Sequence, residues 1–292
     1  MPHIERILCP VDFSEFSQTA YDYAQSLAWH YKATLFLQHV IDSLAPYRCY
    51  YAFPEGYDES LRSLSAGAER QLQEFAETHS QQFIQPQCRV DDGAPADLIL
   101  SVAEVQAVNL IVMGTHGVRG IDRLVLGSVT DKVLRRARCP VLAVRKPAHD
   151  LVTPGKEPAD IHLRRIAYCT DFSDCSEKAF DHAISIAQEY QAELTLVHVL
   201  EGIAVSGDIQ NEIVKVTESL EKRIPPPMKC ATKAIVLIGK PYQQIIGLAL
   251  ESRTDLIVMG VRGRNAVDLK LFGSTTERVV QLGPCPVLVV HT

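Results

Sequence analysis

Leu110-Ile111-Val112-Met113-Gly114-Thr115-His116-Gly117 occurs a second time, with two changes, as Leu256-Ile257-Val258-Met259-Gly260-Val261-Arg262-Gly263. Each stretch is a short apolar run that stops at glycine, as a strand buried on both faces does when it enters a turn. The offset between the copies is 146 residues, and it carries through to Cys139-Pro140-Val141-Leu142 and Cys285-Pro286-Val287-Leu288. Nearer the N-terminus the offset is 159. There Ile7-Leu8-Cys9-Pro10-Val11-Asp12-Phe13-Ser14 aligns with Ile166-Ala167-Tyr168-Cys169-Thr170-Asp171-Phe172-Ser173, Ala20 with Ala179, Ala24 with Ala183, and His39-Val40 with His198-Val199. The first copy is therefore 13 residues longer in its middle, and the excess is assigned to positions 44–65, rich in Tyr, Pro and Gly. A period this long marks a duplicated domain rather than a solenoid. The division expected is domain 1 at 1–146, a linker at 147–162 and domain 2 at 163–292.

Outward from that strand, each copy alternates short apolar runs with amphipathic stretches. In the first copy strands are expected at 6–11, 33–40, 85–90, 109–113 and 141–144, with helices at 14–31, 63–79, 95–106 and 128–136. Ser14 is the expected N-cap of the first helix. The second copy repeats the order between 164 and 290. Alternating β and α elements with short connections give an α/β fold with two similar doubly wound, five-stranded parallel sheets in tandem. Such sheets bind ligands beyond the carboxyl ends of the strands, at the topological switch point.

Beyond the fourth strand both copies carry Gly-x2-Gly-x9-Gly-Ser: Gly114, Gly117, Gly127 and Ser128, then Gly260, Gly263, Gly273 and Ser274. Glycines there let backbone N–H groups approach an anion and allow positive φ. The last glycine opens a helix, whose free N–H groups and dipole attract phosphate. Ser128, Thr130, Ser274, Thr275 and Thr276 add hydroxyl donors. The competing reading is purely structural: glycines that turn the chain and start a helix. Asp12 and Asp171 follow the first strand, where each carboxylate either meets ligand hydroxyls or helps to cap the next helix. Val40 and Val199 end the second strand, as core residues or as main-chain contacts. His39 and His198 on the same strand ends read as structural. His116, Arg262, Arg119 and Arg264 lie where phosphates would pass, or are solvated loop side chains.

Composition narrows the classes. Lys and Arg number 29 against 35 Asp and Glu, a formal charge of −6, which lacks the basic footprint of a nucleic-acid binder. No apolar run is long enough to span a bilayer, and the N-terminus does not read as a signal peptide. The 8 cysteines show no CxxC, so reduced thiols in a cytoplasmic protein are expected, with Cys9, Cys139, Cys169 and Cys285 as small buried apolar residues. HExxH, GxSxG and Walker A motifs are missing, as is any nucleophile–base signature. The residues point to binding rather than catalysis, and no metal site is expected.

These motifs resemble those of the universal stress proteins in their tandem, two-domain form. The carriers are Pro10-Val11-Asp12-Phe13-Ser14 and Thr170-Asp171-Phe172-Ser173, both glycine frameworks and the closing Cys-Pro-Val-Leu strands. The resemblance implies an adenine nucleotide α-hydrolase-like fold and a cofactor, ATP, ADP or AMP, with or without Mg²⁺. Asp12 and Val40 would then contact ribose and adenine in a pocket that includes Pro10. Gly114, His116, Gly117, Gly127, Ser128, Val129 and Thr130 would surround the phosphates. The matching positions are Asp171, Val199, Gly260, Arg262, Gly263, Gly273, Ser274, Thr275 and Thr276, with Cys169 in place of Pro10. Pairing through the last strands, 141–144 and 287–290, is also implied; inside one chain it makes a pseudo-dimer and leaves room for a homodimer through another face.

The function expected is that of an ATP-binding stress-response sensor or partner-binding module, its protein partner unidentified, with slow ATP hydrolysis at most. The alternatives are an adenylate-forming or ATP-hydrolysing enzyme, a nucleotide-free scaffold and, lower still, an FMN-binding flavodoxin-like protein. Positions 45–57 are read as a lid or a docking surface.

Overall fold

The computed structural model describes residues 4–42, 57–80, 84–117, 126–145, 161–201, 209–263 and 272–291. Most of 45–57, nearly all of the expected linker, Cys49, Arg119 and Arg264 lie outside the described residues.

The first half runs β1 (Arg6–Pro10), α1 (Glu15–Tyr31), β2 (Thr34–Ile41), α2 (Tyr57–His79), β3 (Gln87–Asp92), α3 (Pro95–Val105), β4 (Leu110–Gly114), α4 (Ser128–Arg136) and β5 (Val141–Val144). The second repeats it as β6 (Arg165–Cys169), α5 (Asp174–Tyr190), β7 (Glu193–Leu200), α6 (Ile209–Glu221), β8 (Thr232–Ile238), α7 (Pro241–Glu251), β9 (Leu256–Gly260), α8 (Ser274–Leu282) and β10 (Val287–Val290). Ser14 caps α1 as expected, accepting from the Ser17 N–H. Two elements of the first half differ from the sequence expectation by more than one residue. Helix α2 begins at Tyr57 rather than 63, because 57–62 offer only Tyr57 and Leu61 as apolar marks of a helix whose buried face is Leu72, Phe75 and Ala76. Strand β3 lies two residues later than expected, at a sheet edge where its exposed side chains give no alternation and pairing with β2 sets the register.

All ten strands join one sheet in the order β3-β2-β1-β4-β5-β10-β9-β6-β7-β8. Within each half the pairs are parallel, so each connection needs a crossover helix. Helices α1, α2, α5 and α6 cover one face, and α3, α4, α7 and α8 the other. Between the halves β5 and β10 run antiparallel, with Leu142 opposite Leu288. Those two residues are related by the repeat offset of 146, so the centre of the junction pairs a residue with its own counterpart. Flanking contacts repeat the relation. Arg145 donates to the Gln281 carbonyl on α8, and its counterpart His291 donates through Nε2 to the Leu134 carbonyl on α4, at 2.7 Å. Cys9, Cys169 and Cys285 are buried; Cys139 is only partly so.

On α1, burial raises the Asp22 carboxyl from 3.8 to about 6. The folded value lies above the unfolded one, so the stability this group contributes is complete below about pH 4 and is lost as the pH climbs through the folded value. Asp22→Asn should therefore stabilise the protein at pH 7.5 by ~1–2 kcal/mol, discounted for partial exposure. Thermal melts should show the variant a few degrees above wild type at pH 7.5 and the gap closing towards pH 4.

Candidate functional site

Strand order reverses between β1 and β4, and again between β6 and β9. The loops leaving those strands diverge to opposite faces and open a crevice at their carboxyl ends. The turn after β1 holds it from one side. Asp12 Oδ1 accepts from the Ser14 N–H at 3.2 Å and from the Ser14 hydroxyl at 2.6 Å, while the Ser14 oxygen caps the Ser17 N–H. In the second half Asp171 Oδ1 accepts from the Ser173 N–H at 3.1 Å, but the Ser173 hydroxyl donates across the crevice to the Arg262 carbonyl at 3.2 Å.

The turn itself is strained. Phe13 and Phe172 have φ of 64° and 62°, a left-handed conformation that costs a bulky residue about 1–3 kcal/mol. Each ring is held in place. Phe13 lies 4.5 Å from the His39 ring and 5.7 Å from Phe75. Phe172 lies 4.7 Å from His198, with the Arg223 guanidinium over it at 4.7 Å. His39 Nδ1–H donates to the Val11 carbonyl and His198 Nδ1–H to the Thr170 carbonyl, both at 2.8 Å. The two histidines are braces for the loop, in line with their structural reading. The role of the phenylalanines escaped the sequence analysis, although Asp-Phe-Ser stands in both copies.

The six framework glycines divide by task. A Cβ on Gly114 would stand 2.9 Å from the Phe16 backbone on α1, and one on Gly260 2.7 Å from that of Cys175 on α5. These two let the first turn of a helix press onto the strand end. A Cβ on Gly263 would stand 2.6 Å from Asp171 Oδ2, and one on Gly117 would overlap Asp12 Oδ2. The structure thus brings each aspartate against the second glycine of the neighbouring framework, across the switch point. Gly127 and Gly273 are the N-caps of α4 and α8 at φ −59° and −64°. Positive φ, expected of these glycines, belongs instead to Gly93 and Gly239 among the described residues; the framework needs close approach, not a left-handed turn.

Helices α4 and α8 have no side-chain cap hydrogen bond, so the N–H groups of their first turns remain for an anion or water. Ser128 and Ser274 are exposed there, and Val129 and Thr275 half-buried. Thr130 and Thr276 differ from the expectation of ligand donors. They are buried, and their hydroxyls donate inward to the Gly114 and Gly260 carbonyls at 2.8 and 2.9 Å, tying helix start to strand end. His116 is not a solvated loop side chain either: it is buried 5.0 Å from the Phe16 ring, its Nδ1 2.9 Å from the Thr115 hydroxyl. Arg262 is half-buried.

Strand β2 outruns β1. In a parallel ladder alternate residues bond to opposite neighbours. Thr34 N–H donates to Glu5, the Gln38 carbonyl accepts from Val11, and the Ile41 carbonyl turns to the other side to accept from Gly93. Val40 therefore directs its N–H and C=O towards the crevice, past the last rung at Pro10 and Gln38. Val199 does the same, since Val197 accepts from Thr170 and Leu200 from Gly239. Pro10 closes β1 half-buried, and its counterpart Cys169 is buried. Each crevice thus offers main-chain groups at one side, a carboxylate in the middle and helix N–H groups at the other. That order suits a ligand with a flat polar edge, hydroxyl donors and an anionic end.

A family model described as the universal stress protein family matches residues 3–145 and again 162–291. The universal stress protein MJ0531 of Methanocaldococcus jannaschii is 32% identical over 148 residues, 49% of this chain and 83% of that protein. YxiE of Bacillus subtilis is 34% identical over 149 residues, 44% of this chain and 99% of that protein. A solved universal stress protein from Archaeoglobus fulgidus superposes over 100% of this chain and 98% of its own, with a TM-score of 0.66 at 21% identity.

The division among glycines is testable. Gly114→Ala and Gly260→Ala drive a methyl into helix backbone and should destabilise the protein by about 1–3 kcal/mol. Gly117→Ala and Gly263→Ala meet only the end of a carboxylate, which can rotate away at a cost of about 0.5–1.5 kcal/mol in lost hydrogen bonding. Urea denaturation should rank the first pair below the second; the reverse order would refute the assignment.

Proposed function

The chain belongs to the universal stress protein family, and from that premise we propose that it is a cytoplasmic nucleotide-dependent module that binds adenine nucleotide, ATP, ADP or AMP, once in each domain. The observation that carries this reading is the carboxylate of Asp12 against Gly117, repeated by Asp171 against Gly263. A carboxylate there accepts from ribose hydroxyls. Val40 or Val199 offers its main-chain edge to an adenine amine and ring nitrogen. Gly127, Ser128 and Val129, or Gly273, Ser274 and Thr275, hold the phosphates at a helix N-terminus. Domain limits at 146 and 163 give each domain a complete set of these groups.

The aspartates are already tied to the turns that follow them. This favours holding a nucleotide over attacking it, and supports a sensor or partner-binding role in the stress response over adenylate transfer. Strands of the two halves run in opposite directions across the junction, so the two crevices open at opposite ends of the central sheet. Partner proteins would read each crevice separately.

Ser128→Glu and Ser274→Glu test the reading with little risk to the fold. Each adds a carboxylate at an exposed helix N-terminus, which favours the helix by ~0.3–1 kcal/mol and repels phosphate. Mass spectrometry of material released by denaturing fresh protein should find adenine nucleotide, and calorimetric titration with ATP should find two sites. Each variant should lose one site without a lower melting temperature. Folded wild type that neither carries nor binds ATP, ADP or AMP would overturn the proposal.

A further inference from the structure

A cavity of about 310 Å³ lies on the α1/α5 face of the sheet, above the β5–β10 junction. It draws on the starts of the central strands, not on the ends that carry the glycine loops. Its walls come in counterpart pairs: Leu27 with Ile186, Tyr31 with Tyr190, and Leu142 with Leu288. The cavity therefore sits on the pseudo-two-fold relation between the halves, and neither domain forms it alone. An engineered apolar cavity of about 150 Å³ accepts benzene, so by proportion this one holds roughly a dozen non-hydrogen atoms. It also reaches the lower bound of ordinary small-molecule pockets, about 300 Å³.

The counterpart relation is incomplete, since Val108, Asn109 and Cys139 line the cavity from the first half only, and two of the differences between the halves bring polar groups to the wall. Tyr23 on α1 faces a cavity to which α5 contributes His182 at the matching position. Burial holds the imidazole of His182 below the usual histidine range, so it serves as a neutral hydrogen-bonding group at neutral pH. Arg138 supplies the second polar difference; its counterpart in the second half is Pro284. Among the described lining residues Arg138 is the only permanently charged one, and none is a carboxylate. Its contact with Glu104 is an exposed ion pair at 2.6 Å, which water screens and a ligand carboxylate can exchange.

We propose that this cavity is a second ligand site, which takes a monocarboxylic acid with an apolar body of about a dozen non-hydrogen atoms, carboxylate at Arg138 and body between α1 and α5. An acyl chain and a fused aromatic ring share that chemistry, and decanoate and 2-naphthoate are the probes that separate them. Calorimetric titration of the full chain should find one site for one of the two acids. It should bind about tenfold or more tighter than decanol or 2-naphthol, a preference that Arg138→Ala removes. Leu27→Trp and Ile186→Trp fill the space and should abolish binding, while excess ATP does not displace the acid and leaves the stoichiometry at one acid per chain. Should the tryptophan variants fail to fold, methyl NMR of wild type decides: ligand shifts should fall on Leu27, Ile186, Leu142 and Leu288. Shifts at Val40 or Val199 instead, equal binding by the filled variants, or no binding of either acid at millimolar concentration would each overturn the proposal.

Discussion

The antiparallel pairing of β5 with β10 is the constraint on which the rest of the molecule depends. A parallel five-stranded sheet covers both faces with its crossover helices but leaves two edges of unpaired N–H and C=O groups. Here the edges beside β4 and β9 are spent on each other, Leu142 against Leu288. Because the paired residues are counterparts in the repeat, one relation governs everything around them: Arg145 and His291 reach across to opposite helices, Tyr31 donates to Glu189 at 2.8 Å beside the His30–Glu189 contact, and the crevices end up at opposite sides. Rotation or slippage at that pair would break all of these contacts together.

Much of this was legible in the chain. In the first copy the alternation of apolar runs located five strands and four helices, most of their ends to within one residue, and the repeat carried the same order into the second, since buried parallel strands and small-residue helix faces such as Ala20, Ala24 and Ala28 leave strong periodic marks. What failed to show had little to mark it. The first six residues of α2 offer only Tyr57 and Leu61 as apolar marks, and β3 is an exposed edge strand whose register comes from β2.

The candidate site was legible as a set of positions, less so as a set of roles. Spacing located all six glycines but could not say that Gly114 yields to Phe16 backbone while Gly117 yields to a carboxylate. Those are distances between loops far apart in sequence. The same holds for Thr130 and Thr276, whose hydroxyls point to a carbonyl 16 residues earlier. Phe13 and Phe172 were least legible, because a phenylalanine in the left-handed region contradicts local preference and is held by partners distant in sequence, His39 and Phe75 for one, His198 and Arg223 for the other.

Helix α1 joins the two ends of the molecule. It starts at the Ser14 cap that Asp12 braces, and its last two turns present Leu27 and Tyr31 to the central cavity. Its 17 residues span about 25 Å. Helix α5 does the same from Ser173 to Tyr190. Near the start, Gly114 and Gly260 leave no slack between helix and strand, so movement at the Asp12 or Asp171 turn is carried along a stiff element rather than absorbed locally. A ligand at either end changes the other only if it prefers one helix position to another. The close glycine contact makes those positions few, and that is the physical condition under which a crevice at one end of the helix can report on something bound at the other.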